Sequence, residues 1–379
     1  MRWVTVWGNA TSVAEHRVET YAKDVTLRYP LTCAFGGSKV RLHFSNFCGT
    51  EDVRLDCVTL AHTAGDREII AQGGKTVTFN GRESVTLRAG EEIFSDEIPF
   101  SVRPKSEITV SFYLGGFTLM RSAVVITGPL SKGFFSVGNF AHSPSLPLDY
   151  TRTTNTFYFL TGVDLYTEDD NKCLICYGDS LTAQSYPDYL NELYMENKQN
   201  RTAAIRRAAS GTRVLREYKC ITYESYGLKG EHRFEREIST VSGADGVIIQ
   251  QGINDIIHPV GIEINPFRPM SDLPTMDELK AGILGYIALA KKYNLKAYIG
   301  TLLPINGWRT YAPFREEMRQ EFNDWVRGLG GVGVIDFDKA LRDSGDITSF
   351  AQGNDSGDHL HPSESAYKLM AQEAFARIG

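Results

Sequence analysis

Hydrophobic and polar residues follow two different patterns along the chain. Up to about residue 168, Val, Leu, Phe and Thr alternate with polar residues at a period of two, as in KVRLHFSN and EITVSFYLGG, and Gly or Asn stands at the breaks. This alternation is typical of strands with one buried face, and helical periodicity is scarce. We therefore predict an antiparallel β-sandwich of jelly-roll type over residues 1–168.

The period changes after TEDDNK at residues 167–172, a stretch too polar to pack inside either half, which marks the predicted domain boundary. Apolar runs such as CLICY, GVIIQ and KAYIGTLL then alternate with amphipathic stretches such as TMDELKAGILGYIALAKKY and SESAYKLMAQEAFARI. Strands interleaved with long helices predict right-handed crossovers and a parallel sheet covered on both faces. We expect an α/β domain with a flavodoxin-like sheet over residues 169–379.

The composition narrows the class of protein. Of 379 residues, 42% are hydrophobic and 23% are charged, which is ordinary for a globular protein with a sizeable core. The net charge of −6 leaves no basic surplus for contacting phosphates, so nucleic acid is not an expected partner. No window resembles a membrane span, and the first residues lack the apolar core of a signal peptide. We expect a cytoplasmic protein that does not insert into membranes.

Six cysteines in so long a chain are too sparse for a disulfide scaffold. The pair Cys173 and Cys176 has CxxC spacing, but it flanks apolar residues inside a predicted strand instead of opening a helix. We interpret both as buried, reduced structural thiols. The sequence shows no metal-ligand cluster, and the chemistry suggested below needs no cofactor, so neither a metal nor a cofactor is expected.

The first strand of the α/β half runs into a Gly-Asp-Ser turn at residues 178–180 and then into a helix. In an open parallel sheet, functional groups collect beyond the carboxyl ends of the strands, where the N–H groups of a helix start are unpaired. Ser180 is therefore a candidate nucleophile whose N–H is half of an oxyanion site. The alternative is that Ser180 only caps the helix.

Asp358 and His361, near the end of the chain, are three residues apart, and Pro362 follows at a position suited to the first turn of the last helix. In a tight turn this spacing lets Asp358 reach one imidazole nitrogen while the other points outward. Such an imidazole can take the proton of Ser180 and return it to a leaving group. His359 is expected to point elsewhere. The alternative is that Asp358 and His361 only cap the last helix.

Two further turns follow the next predicted strands. Gly211 in RAASGTR lets backbone N–H groups approach a substrate closely, and Asn254 in QQGINDI carries an amide donor. If the strand order is 2-1-3, both turns flank that of Ser180, and three donors converge where an oxyanion forms. Asn254 and Asp255 can instead shape a turn, the interpretation we favour for Asp255. We interpret His258 as a loop residue.

Four blocks occur in the order and spacing found in the SGNH hydrolase superfamily, also called GDSL-type esterases and lipases: GDSL at 178–181, Gly211 in ASGT, GIND at 252–255 and DHLH at 358–361. The resemblance covers residues 172–379. The strand-rich half resembles the N-terminal sandwich of some bacterial members, on phrases such as RLHFSNFCGTEDV. No Gly-x-Ser-x-Gly elbow is present, which argues against the other large serine-hydrolase fold.

This resemblance implies that Ser180 is the nucleophile, His361 the base and Asp358 the acid that orients it. It also implies an oxyanion hole made of the N–H groups of Ser180 and Gly211 and the amide of Asn254. The chain departs from the family in the second block, where an Asn often precedes the Gly and Ala-Ser-Gly stands here.

Two segments suggest where a substrate binds. The stretch between Ser180 and the helix at Pro187 is short, which leaves little material for a lid and favours an open groove and a small acyl group. Trp308, Arg309 and Tyr311 follow the fourth strand of the α/β half and are candidate substrate-binding residues suited to a sugar ring, although they can equally pack the two domains together. Residues 216–234 are a second candidate wall, or a solvated surface loop.

The favoured hypothesis is a serine esterase that removes short acyl groups, most simply acetyl, from a carbohydrate or related polar substrate. The choice of substrate rests on analogy at the level of the fold. One alternative is a lysophospholipase or thioesterase. The other is a glycan-binding protein with a relic hydrolase site.

Overall fold

The computed structural model describes residues 1–13, 20–197 and 201–379. The chain divides into two compact units. The first comprises Met1–Cys173 with two short segments, Arg201–Ile205 and Val241–Gly243. The second comprises the rest of the chain: Leu174–Asn200, Arg206–Thr240 and Ala244–Gly379.

Strands make up the regular structure of the first half of the chain, and no helix occurs in its described residues. The strands are β1 (Arg2–Gly8), β2 (Ser12–Val13), β3 (Tyr21–Ala22), β4 (Val25–Cys33), β5 (Gly37–Ser45), β6 (Val53–Leu55), β7 (Cys57–Gly65), β8 (Glu68–Thr76), β9 (Val85–Leu87), β10 (Glu92–Phe94), β11 (Ile98–Val102), β12 (Ser106–Leu114), β13 (Thr118–Leu119), β14 (Ser122–Val125), β15 (Gly133–Val137), β16 (Thr151–Thr154), β17 (Thr156–Tyr158) and β18 (Leu160–Thr167).

These strands form two larger antiparallel sheets and several small ones. One sheet has the order β1-β18-β5-β10, with β11 also paired to β5, and the other has the order β16-β15-β4-β12-β7-β8. Strand β11 shows the underlying pattern, because Ile98, Phe100 and Val102 are buried while Pro99 and Ser101 are exposed. The antiparallel β architecture predicted from the period of two is confirmed.

The second half of the chain alternates strands with helices. Its elements are β19 (Lys172–Gly178), α1 (Ser180–Ala183), α2 (Tyr186–Glu196), β20 (Thr202–Ala208), a 3-10 helix (Ile221–Tyr226), α3 (Gly230–Ser239), β21 (Ala244–Gln250), α4 (Ile253–Ile257), a second 3-10 helix (Met270–Asp272), α5 (Met276–Lys292), β22 (Lys296–Gly300), α6 (Pro313–Arg327), β23 (Gly333–Ile335), α7 (Phe337–Leu341) and α8 (Glu364–Ile378).

Helix α5 shows why the amphipathic stretches fold as predicted. A capping box starts the helix, since the Thr275 hydroxyl accepts a hydrogen bond from the N–H of Glu278 while the Glu278 carboxylate accepts one from the N–H of Thr275. Leu279, Ile283 and Tyr286 are buried at a spacing of four and three residues, which places them on one helix face.

The five-stranded sheet of the second half positions the candidate site. Its strand order is β20-β19-β21-β22-β23, and the pairs β21–β22 and β22–β23 are parallel. Strand β19 therefore lies between β20 and β21, so the turn that follows it lies between the turns that follow its two neighbours. The α/β fold with a parallel, flavodoxin-like sheet is confirmed, and so is the 2-1-3 order.

Three features are absent from residues 1–13, 20–197 and 201–379. No helix there is long and apolar enough to cross a membrane. No group of three or more His, Cys, Asp or Glu side chains in those ranges is arranged to hold a metal ion. Cys173 and Cys176 are buried in β19, and neither forms a disulfide.

Candidate active site

Ser180 opens helix α1, directly beyond the carboxyl end of β19. Asp179 is the N-cap of this helix, because its Oδ1 accepts a hydrogen bond from the N–H of Leu181 at 3.0 Å. Ser180 is therefore the first helical residue, and the alternative that it caps the helix is wrong. Its N–H has no partner inside the helix, since the first N–H groups of a helix lack one.

Gly178 allows the strand to pass closely into the helix. A Cβ at this position would lie 2.3 Å from Thr182 Oγ1 and 2.5 Å from the carbonyl oxygen of Gln250. Any side chain would push α1 away from the sheet. The glycine of the Gly-Asp-Ser turn therefore fixes where the Ser180 hydroxyl stands.

A tight turn presents His361 to Ser180. Asp358 Oδ1 accepts hydrogen bonds from the N–H groups of Leu360 at 3.0 Å and His361 at 2.8 Å. Asp358 Oδ2 lies 2.7 Å from His361 Nδ1, and His361 Nε2 lies 2.9 Å from Ser180 Oγ. The structure thus brings together the three residues that the sequence grouped as nucleophile, base and acid.

Contacts of the neighbouring residues exclude the interpretation that Asp358 and His361 only cap the last helix. Helix α8 is capped by Ser363, whose hydroxyl accepts a hydrogen bond from the N–H of Ala366, so the alternative that the Asp–His pair only caps this helix is wrong. His359 has a left-handed backbone with φ 64°, and its Nδ1 lies 2.7 Å from Asp355 Oδ2. As expected, His359 points away from Ser180.

Hydrogen bonding sets the charge on Asp358. Partial burial acts to raise the pKa of this carboxyl, but hydrogen bonds from the N–H and ring of His361 and from the N–H of Leu360 outweigh it and hold the pKa below its ordinary value. Asp358 is therefore ionised at neutral pH and accepts a hydrogen bond from Nδ1–H of His361. That tautomer leaves the lone pair of Nε2 facing the Ser180 hydroxyl, so the imidazole can accept its proton.

The turns after β20 and β21 adjoin the turn of Ser180. The N–H of Ala209 donates to the carbonyl oxygen of Gly178 at 3.2 Å, which joins the first two turns. Asn254 is 2% exposed, and its Nδ2 donates to the carbonyl oxygen of Thr212 at 3.1 Å. An amide group carries two N–H donors, so this bond leaves Asn254 one more. The candidate oxyanion donors thus belong to three contiguous turns.

Gly211 takes a conformation and a contact that only glycine allows. Its φ is +75°, and a Cβ there would lie 2.3 Å from carbon atoms of the Tyr226 ring. The Tyr226 ring therefore lies against the backbone of Gly211.

Two buried carboxyls lie in the turns next to Ser180. Asp255 accepts hydrogen bonds from the N–H groups of Val214 at 2.8 Å and Leu215 at 3.0 Å, so it shapes the turn as expected. Burial raises the pKa of Asp255 to about 6. Burial, together with the nearby charge of Asp255, raises the pKa of Asp179 to about 7. These two carboxyls hold their protons far more strongly than Asp358 does.

An aromatic cluster lies beside Gly211, and the sequence did not indicate that His258 belongs to it. It consists of Tyr218, Tyr223, Tyr226 and His258, whose ring centroids lie 4.7–5.9 Å apart in each contacting pair. Tyr218 Oη lies 3.0 Å from His258 Nδ1. His258 is buried at the C-cap of α4, directly before Pro259. The three tyrosines lie within residues 216–234, for which the sequence left a substrate-binding wall and a solvated surface loop as alternatives.

Of the three candidate substrate-binding residues that follow β22, two have ring contacts that link them to His361 and one does not. The Trp308 ring centroid lies 6.5 Å from that of His361, at an interplanar angle of 82°. The guanidinium carbon of Arg309 lies 4.6 Å from the Trp308 centroid. Tyr311 is 36% exposed and makes no ring contact with the part of the chain that the structure describes. Trp308 therefore lies next to the His361 ring and Arg309 next to Trp308, whereas Tyr311 makes no aromatic or cation–π contact with the described residues of the site.

The sequence profile of the GDSL-like Lipase/Acylhydrolase family matches residues 176–369. This span is just over half of the 379 residues, and it includes Ser180, Gly211, Asn254, Asp358 and His361. The chain belongs to the GDSL-like lipase/acylhydrolase family. It is an ester hydrolase, and the resemblance noted in the sequence is confirmed.

Solved structures with the same family description are similar to the second half of the chain. A member of the lipolytic protein G-D-S-L family from Veillonella parvula is 18% identical over 55% of this chain and 98% of its own, with a TM-score of 0.39. A GDSL-like lipase from Bacteroides thetaiotaomicron is 15% identical over 55% of this chain and 88% of its own, with a TM-score of 0.40. No curated protein matches the chain.

We expect Asp179→Asn to gain stability relative to the unchanged protein as the pH rises from about 4 to about 8. The folded protein binds the Asp179 proton up to about pH 7, whereas an unfolded chain releases it near its ordinary value of about 3.9. The stability linked to this proton is complete below about pH 4 and is lost as the pH rises through about 7. Asparagine is neutral throughout and keeps the acceptor for the N–H of Leu181.

Urea unfolding at several pH values measures this effect. The free energy of unfolding of Asp179→Asn minus that of the unchanged protein should increase by about 2–4 kcal/mol across the range. Asp324→Asn, at a carboxyl whose side chain is 78% exposed, is the matched control. A difference for Asp179→Asn that does not vary with pH would contradict the buried, protonated carboxyl.

Proposed function

We propose that the protein is a serine esterase that removes short acyl groups, most simply acetyl, from a carbohydrate or related polar substrate. The observation that carries this proposal is the position of the His361 ring, with Nδ1 at 2.7 Å from Asp358 Oδ2 and Nε2 at 2.9 Å from Ser180 Oγ. A serine hydroxyl is a weak nucleophile at neutral pH, and an oriented imidazole is the group that activates it.

In the proposed reaction, Ser180 Oγ attacks the ester carbonyl carbon while His361 Nε2 takes the hydroxyl proton. The oxyanion accepts hydrogen bonds from the N–H groups of Ser180 and Gly211 and from the amide of Asn254. The bond to the alcohol oxygen then breaks, and His361 gives its proton to that oxygen. Water, deprotonated by the same imidazole, then attacks the acyl carbon. The bond from that carbon to Ser180 Oγ breaks, His361 returns the proton to Oγ, and the carboxylic acid leaves.

The proposed oxyanion donors supply a large part of the rate. By analogy with other oxyanion holes, each donor stabilises the transition state by about 3 kcal/mol. Asn254 is held for this task, because its buried amide is already oriented by the bond to the carbonyl of Thr212. Asp358 remains ionised and stabilises the imidazolium that forms during the attack.

Aromatic side chains support a short acyl group and a sugar. The Tyr226 ring partly fills the space beside Gly211, which favours a small acyl group at this donor. The Trp308 ring borders the His361 ring, which must give the alcohol its proton. Aromatic faces next to hydrogen-bonding groups suit the mixed apolar and polar surface of a sugar ring.

Ser180→Ala should lower kcat for 4-nitrophenyl acetate by about ten-thousandfold, because no other group can form the acyl intermediate. The circular dichroism spectrum and the melting temperature should stay unchanged, since the side chain is small and half-buried. Ser239→Ala, at an exposed serine of α3, is the matched control and should keep full activity. Unchanged turnover by Ser180→Ala would remove the mechanism.

The two neighbouring histidines give a second test. His361→Ala should lower kcat by about a thousandfold or more, since it removes the base that contacts Ser180. His359→Ala should change kcat less than about threefold, because its ring pairs with Asp355 and its side chain is 52% exposed. Equal losses in the two variants would contradict the geometry of the turn.

A series of 4-nitrophenyl esters from acetate to palmitate tests the acyl group. We expect kcat/KM to be highest for acetate and to fall as the chain lengthens, because Tyr226 limits the space beside Gly211. A maximum at long chains would favour the lysophospholipase or thioesterase alternative. A folded protein with no Ser180-dependent turnover on any of these esters would favour the glycan-binding alternative.

A further inference from the structure

Four arginines lie near His258, although the whole chain carries a net charge of −6. Burial lowers the pKa of His258 well below its ordinary value, and the charges of Arg268, Arg213, Arg309 and Arg315 lower it further. Four guanidinium groups are thus close enough to act on one buried imidazole. This imidazole is stacked on Tyr226, which lies against Gly211.

Carboxylates offset only part of this charge. Arg213 Nη1 donates to Asp272 Oδ2 at 3.0 Å, which forms one ion pair. Arg268 Nε donates instead to the carbonyl oxygen of His258 at 2.6 Å. Arg309 is exposed and has no carboxylate partner within the described ranges of the chain. The surroundings of His258 therefore carry a net positive charge.

Hydrogen-bond donors also exceed acceptors here. Arg315 donates to the carbonyl oxygens of Ile256 and Pro259. Several buried donor atoms have no acceptor among the described residues: Nε and Nη2 of Arg213, Nε of Arg315 and Nε1 of Trp308. A region rich in cations and donors and poor in acceptors stabilises a ligand that is negatively charged and accepts hydrogen bonds.

The position of Arg309 assigns this charge to one part of the substrate. His361 must reach the oxygen of the leaving alcohol, so the alcohol lies on the side of the His361 ring. The Trp308 ring borders that ring at 6.5 Å between centroids, and the Arg309 guanidinium carbon lies 4.6 Å from the Trp308 centroid. Trp308 therefore links the exposed Arg309 cation to the imidazole that must protonate the leaving alcohol.

We propose, resting on the esterase function above, that the substrate is an O-acetylated acidic sugar whose carboxylate is bound by Arg309 while its ring lies against Trp308. The planar guanidinium can donate two parallel hydrogen bonds to a carboxylate. The positive surroundings of His258 raise the local concentration of such an anion. Arg309 thereby determines specificity for the alcohol part of the ester.

The test compares O-acetylated glucuronic acid with its methyl ester, which removes the negative charge and keeps the sugar and the acetyl group. Acetate release gives kcat/KM for each. We expect the acid to be favoured about fivefold, the size of effect that an exposed ion pair supports. Arg309→Gln should bring this ratio to about one, and Arg309→Lys should retain part of it. Added salt should lower kcat/KM for the acid more than for the methyl ester.

Arg377→Gln is the matched control, because Arg377 is an exposed arginine of α8 whose Nε lies 3.8 Å from Glu373 Oε1. This variant should leave the ratio unchanged. A ratio of one in the unchanged protein, or the same ratio in Arg309→Gln, would overturn the acidic-sugar proposal alone if 4-nitrophenyl acetate is still hydrolysed through Ser180. Loss of that Ser180-dependent hydrolysis as well would overturn the esterase proposal with it.

Discussion

The contact between His361 Nε2 and Ser180 Oγ joins residues 181 positions apart, and the proposed chemistry depends on it. Each of the two residues is held in place by hydrogen bonds within its own turn. Asp179 caps α1 and sets the place of Ser180, while Asp358 closes the turn that orients His361. The fold then brings the turns of Ser180 and His361 together at one edge of the parallel sheet. This explains why two residues so far apart in sequence lie within hydrogen-bonding distance.

Two carboxyls close to this contact are held in opposite states by their surroundings. Asp358 is partly exposed and receives three hydrogen bonds from Leu360 and His361, so it stays ionised. Asp179 is fully buried, and its pKa is raised to about 7. Asp179 directly precedes Ser180. A full negative charge on its carboxyl would therefore lie close to the proposed oxyanion and oppose its formation. Burial therefore reduces the negative charge next to the proposed oxyanion, while the charge on Asp358 would stabilise the imidazolium of the proposed mechanism.

The sequence was most informative where two candidate functional residues lie only a few positions apart. Asp358 and His361 lie three residues apart in one turn, so their contact followed from local geometry alone. The strand order could only be assumed, because it depends on pairing between distant segments. The ring of Tyr226 against Gly211 was not predictable either, since residues 209–229 have no periodicity from which to infer where the chain returns to the sheet. The surroundings of Arg309 were not predictable for the same reason, because the contact between Trp308 and His361 joins segments that are distant in sequence.

The order in which the chain is synthesised follows from the same separation. The ribosome releases Ser180 and its helix well before residues 355–362 are made, and domains fold as their residues emerge. A nascent chain therefore carries the Ser180 hydroxyl without the His361 imidazole until 181 further residues have been added. Such a chain lacks the base proposed to activate Ser180, so the proposed hydrolysis cannot begin before residue 361 has emerged and folded.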